Sequence, residues 1–133
     1  MTVLLDTHVW VWWLTPNSPL SRREREALDA LAGSGGLSLA AISLWEAQML
    51  HSKGRLEVPF SLADWIEQAA DERAVRIVPL DTAVILALDA LPASFHGDPA
   101  DRLIVATAKA HSLPVATRDR AIRRSRIVPV WKA

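Results

Sequence analysis

The chain has 133 residues, half of them hydrophobic, with fifteen basic and fifteen acidic side chains and no cysteine. That length and apolar fraction suffice for one domain, 1–133, with a proper core, and the balanced charge gives no reason for tight non-specific binding to nucleic acid. Disulfides and thiolate metal sites are excluded, a reducing cytoplasm is the natural compartment, and any metal must be held by Asp, Glu or His.

Taken in order, residues 3–5 read as a short apolar strand, running into Asp6 and Thr7. Asp6 and His8 interrupt the first apolar run, which argues against a signal peptide or a membrane span. HVWVWWLT then makes a helix of up to two turns, stopped by Pro16. Ser21 and Glu24 form a capping-box pattern ahead of a surface helix that Gly33 ends. A second strand follows at 37–40. Ser43 with Glu46 again matches a capping box and opens a helix ending near Lys53 and Gly54, so Glu46 standing alone is explained as a capping residue. Ser61 caps a helix whose Leu62, Trp65, Ile66 and Ala69 share one face, with Asp64, Glu67, Asp71 and Glu72 toward water. Residues 75–78 are a third strand, and Asp81 caps a helix with Ile85, Leu88 and Leu91 inward.

The stretch FHGDPADRLIVATAKAHSLPVATRD holds a helix start, a helix, a strand and two acids. Asp98 followed by Pro99 is an N-cap with proline at the first helical position, which places Asp101 at N3. LIVATAKA is apolar or small around most of its circumference, the mark of a helix buried on several sides. Val115 and Ala116 are a short buried strand left through Thr117, Arg118 and Asp119, and after a short basic helix a fifth strand is expected at 127–130. Short, wholly apolar strands alternating with helices predict a parallel sheet covered on both faces, a three-layer α/β/α sandwich.

In such a sheet, strand C-termini and the helix starts that follow share the ligand-binding edge. Asp6 and Asp119 each end a strand, Glu46 approaches from the helix after the second strand, and Asp101 joins if its loop returns over the same edge. Four carboxylates with no lysine close by repel one another, and a hard divalent cation with oxygen ligands, Mg²⁺ or Mn²⁺, resolves that repulsion. Each acid also has a plainer reading, Asp6 and Asp119 as turn residues, Asp98 as a cap and Asp101 as an N3 acid favoured by the helix dipole. His8, His51, His96 and His111 have no metal-binding spacing and read as solvated or packing residues. Trp10, Trp13 and Trp45 read as core aromatics, with an exposed edge open to a partner helix. Arg22, Arg23 and Arg25, and the run Arg118, Arg120, Arg123, Arg124 and Arg126, are either solvated surface or phosphate contacts.

With these phrases in order, LLDTHVWVW, SLAAISLWEA, HGDPADRLIVATA and ATRD, the chain resembles PIN domains, most closely VapC-type toxins of type II toxin–antitoxin pairs, over essentially its whole length. The resemblance implies a five-stranded parallel sheet with strands one and four central, and a Mg²⁺- or Mn²⁺-dependent endoribonuclease acting on RNA. It places the catalytic, metal-holding quartet on Asp6, Glu46, Asp101 and Asp119. Thr7 and Thr117, with Arg118 beside them, fall where water, metal or phosphate is held. It further implies a homodimer and a small VapB-like antitoxin as partner, and the interrupted apolar run already argues for no membrane. The rival reading is a non-catalytic PIN-like binding module that keeps the acids for stability or partner contact.

Overall fold

The computed structural model describes residues 1–95 and 97–133. Along these the chain forms β1 (Val3–Leu5), α1 (Thr7–Trp13), α2 (Arg22–Gly33), β2 (Leu37–Ala40), α3 (Ala41–Ser52) and α4 (Leu62–Ala69). Then come β3 (Arg76–Val78), α5 (Thr82–Asp89), α6 (Pro99–His111), β4 (Val115–Ala116) and α7 (Arg120–Ser125). The reading of His96 as a solvated or packing residue lies outside the described residues. Among those residues, no helix is long and apolar enough to cross a membrane.

All strand pairs are parallel, in the order β3-β2-β1-β4. The chain winds outward from β1 to β3 and returns to the other side of β1 with β4, which puts the topological switch point between β1 and β4. Among the described residues the sheet has four strands, not five. The expected fifth strand is reduced to one bridge, Val115 with Val130, held by Val115 N–H to Pro129 O and Trp131 N–H to Val115 O, both 2.9 Å. The next rung toward the N-terminus would need an N–H at position 129, which proline lacks. β4 therefore has only this bridge on its outer side.

Side-chain alternation along the strands builds two cores. Val3, Leu5, Leu37 and Leu39 enter one with Trp10, Leu28 and Trp65. Leu4, Val78 and Val115 enter the other with Val84, Ile104, Val105 and Ile122. In α6, residues 104–108 are all buried, as expected of a helix covered on several sides. α5 departs from the expected register. Val84 is fully buried and Leu91 is buried, while Ile85 is 46% exposed, because the inward stripe starts three residues after the Asp81 N-cap rather than four. The three tryptophans also part company. Trp10 is fully buried, its indole N–H donating to Ala69 O at 3.0 Å and its ring tilted on Trp65. Trp13 ties α1 to α2 through Asp29 at 2.8 Å, and Trp45 is 53% exposed.

Candidate active site

Leu5 pairs with Ala116 in adjacent parallel strands, so the residues that leave them, Asp6 and Thr117, emerge side by side. Asp6 caps α1, its Oδ1 accepting from the Thr7 N–H at 2.8 Å, while its Oδ2 accepts from the Thr117 hydroxyl at 2.6 Å. It is 2% exposed. Burial pushes its carboxyl up, against the opposing pull of His8 and of its own hydrogen bonds.

His8 is a residue whose place the sequence did not reveal. Its Nε2 accepts from the Arg118 backbone N–H at 3.0 Å. An amide N–H can only donate, so in the neutral ring the proton sits on Nδ1, which lies 3.5 Å from Asp6 Oδ2. The ring meets Trp12 edge-on at 4.8 Å. His8 thereby links the β4 exit loop to the Asp6 carboxylate. The available signal was its position two residues after a strand-ending acid.

Asp119 caps α7, with Oδ1 accepting from Ile122 N–H at 2.9 Å, and its own N–H donates to the Thr117 hydroxyl at 3.0 Å. Thr117 thus holds Asp6 and orients the start of Asp119. Asp98 caps α6 by accepting from Asp101 N–H at 2.8 Å, with Pro99 at N1. Asp101 stands at N3. Gly97 lets the incoming loop pass close to it, since a Cβ there would meet Phe95 Cζ at 2.8 Å and Asp101 Cβ at 3.1 Å.

The capping-box reading of Glu46 is overturned. β2 passes directly into α3, which begins at Ala41 with no side-chain cap, so Ser43 lies at N3 and Glu46 a full turn inside the helix. Ser43 instead shares a 2.8 Å hydrogen bond between its Oγ and Thr7 Oγ1. Released from the helix start, the Glu46 carboxyl is pushed up by burial and by the charges of Asp6 and Asp98, with the Thr7 hydroxyl acting the other way. The Arg118 side chain is turned from the acids to Glu24, Nη2 to Oε1 at 2.6 Å.

The four acids feel one another. Asp101 is pushed up to about 7, first by burial, then by Asp98, Asp6, Asp119 and Glu46. The four side chains offer hard oxygens, and no cation is among the groups that act on Asp101, the chemistry that suits Mg²⁺ or Mn²⁺. Among the described residues, no three such side chains stand close enough to hold an ion as they are. The fit rests on donor type and on the shared field that a cation would relieve.

One consequence is testable without any metal. In an unfolded chain the Asp101 carboxyl titrates near 4, so it binds its proton more tightly when folded. The folded state therefore gains stability as pH falls through about 7, while at pH 8 most of the charge is carried. In chelator, lowering pH from 8 to 6 should stabilise the wild type over Asp101→Asn by about 1 kcal/mol, a value discounted because the group is half-exposed. Parallel melting curves for the two proteins across that range would remove the crowding argument.

A parallel sheet whose switch point gathers acids at adjacent strand ends defines the class, and the chain belongs to the PIN domain family, whose pattern matches residues 3–127. Over 133 aligned residues it is 39% identical to Ribonuclease VapC22 of Mycobacterium tuberculosis (strain ATCC 25618 / H37Rv), covering 98% of each chain. The structure of FitAB bound to an IR36 DNA fragment is similar at a TM-score of 0.68 and 30% identity, over 98% of this chain and 94% of that one. The crystal structure of FitAcB from Neisseria gonorrhoeae is similar at 0.72 and 28%, over 98% and 97%.

Proposed function

We propose that the protein is a metal-dependent endoribonuclease, the toxin of a type II toxin–antitoxin pair, built as a single domain and working in the cytoplasm. The observation that carries this reading is the convergence of Asp6, Glu46, Asp101 and Asp119 on one field at the β1/β4 switch point. The 39% identity to a ribonuclease over nearly the whole chain supports the substrate class. The four carboxylates would hold Mg²⁺ or Mn²⁺. Such an ion would supply Lewis-acid polarisation of a phosphate oxygen and a water of lowered pKa for in-line hydrolysis. The chain's own part is positioning. Thr117 and the Thr7 N–H fix both oxygens of Asp6, His8 braces Asp6 from the Arg118 loop, and the Asp98 cap holds the α6 start that carries Asp101.

Cleavage of a mixed RNA by the purified protein is expected in Mg²⁺ or Mn²⁺ and is expected to stop in chelator. Chelator-insensitive cleavage would reject the metal site. If the folded protein with added metal left RNA intact, the acids would revert to the role of a non-catalytic binding module.

The FitAB relative supports a VapB-like antitoxin as a second chain. A homodimer is also proposed. Leu80, Ile85 and Leu86, at and after the β3–α5 turn, are 46–66% exposed, and so much apolar surface in one place favours association. Light scattering should report twice the chain mass at micromolar concentration, and a monomer there would sink the dimer.

A further inference from the structure

The structure sorts the two arginine clusters. Arg22 pairs with Glu26 along its own helix. Arg25 is spent on structure, donating to the carbonyls of Trp12 and Trp13 at 3.1 Å, where they close the end of α1. Arg124 and Arg126 line hollows shared with Phe95 and with Ala87. Of the four arginines that remain, Arg120 is exposed outside the cleft where the other three meet. Arg23 from the first turn of α2, Arg118 from the β4 exit and Arg123 from α7 line one open cleft of about 330 Å³, joined by Lys132 from the C-terminal segment.

Glu24 also faces this cleft, but its carboxylate is engaged by the Ser21 N–H of the capping box and by Arg118. Burial pushes it up, yet those bonds outweigh burial and hold it below the usual range, so it stays ionised and keeps Arg118 in place. Among the described residues, Arg23, Arg123 and Lys132 form no ion pair. Thr117 stands in the wall of the cleft, and its hydroxyl donates to Asp6. The cleft and the acid centre are therefore separated by one side chain. Trp131 adds an aromatic surface on which an unpaired base can stack.

We propose that this cleft binds a backbone phosphate of the RNA next to the one cleaved, through Arg23, Arg123 and Lys132. The assignment rests on the ribonuclease reading of the acid centre and supplies what that centre lacks. Four carboxylates repel a polyanion, and a cationic cleft one residue away compensates while fixing the direction in which the strand leaves the site. A zero net charge makes the placement decisive, since no global field draws RNA to the protein.

The test is fluorescence anisotropy of a labelled single-stranded RNA on the chelated, uncut full-length protein, over a series of salt concentrations. Arg23→Ala with Arg123→Ala, read singly and together, is compared with Arg22→Ala with Arg126→Ala, which removes equal charge elsewhere. The cleft pair should bind about tenfold more weakly, with the salt slope reduced by about 0.7 for one lost phosphate contact. The control pair should leave the slope unchanged. Equal losses in both pairs would overturn the site, as would an unchanged slope with an acidic peptide displacing from the cleft, which would make it a protein-docking surface. Cleavage with Mn²⁺ of a dinucleotide too short to reach the cleft separates the two readings. It should proceed equally in wild type and cleft variant if the acid centre is catalytic. Its absence from both would count against the ribonuclease reading itself.

Discussion

Asp101→Asn should abolish RNA cleavage while leaving the fold at least as stable. Asn has nearly the size of Asp and keeps the helix start, so a purely structural N3 acid would lose about 0.3–1 kcal/mol of dipole interaction. The field around Asp101 argues that even this loss is offset, because the substitution removes a charge that Asp98, Asp6, Asp119 and Glu46 all oppose. A residue retained against such opposition is retained for something other than stability. If it helps hold a divalent cation, the amide withdraws a full negative charge from that site, and activity falls by orders of magnitude. Asp98→Asn is the internal control. Its Oδ1 accepts from Asp101 N–H at 2.8 Å, and Asn caps helices about as well as Asp, so both stability and cleavage should change little. Cleavage assays beside thermal melts would decide, and full activity in Asp101→Asn would reject the assignment of this site.

Trp10→Ala should destabilise the protein by about 3–5 kcal/mol, the range for removing a large aromatic from a close-packed core. Trp10 is fully buried, stacks obliquely on Trp65 at 5.2 Å, and leaves Ala69 O without its donor when removed. That loss is a large share of the stability of a domain this size. Trp45→Ala, at a side chain 53% exposed, should stay within about 0.5 kcal/mol. The contrast bears on function, since Trp45 is free to meet a partner chain and Trp10 is not. Denaturant melts giving equal losses for the two would contradict the packing described.

Much of this was legible in local sequence because its causes are local. Asp98, Pro99 and Asp101 form a helix start by the chemistry of neighbouring residues, and the structure puts cap, N1 and N3 where the sequence did. The Ser21 and Glu24 capping box formed for the same reason. Short apolar runs gave the four strands, and the acid after β1 marked the edge of the sheet. What the sequence misread depended on contacts between distant residues. The Ser43–Glu46 capping box did not form because β2 enters α3 without a loop, and only pairing of β2 with β1 carries Ser43 to Thr7. His8 gained its role from an amide 110 residues away. The fifth strand failed at Pro129, where the apolar pattern is sound but the donor is missing. The sequence by itself determined the acids, the caps and the alternation that makes a parallel layered fold. Only tertiary structure decided which side chains meet, because the Leu5–Ala116 register joins Asp6 to Thr117 and the packing of α2, α7 and the C-terminal segment brings Arg23, Arg118 and Arg123 to one cleft.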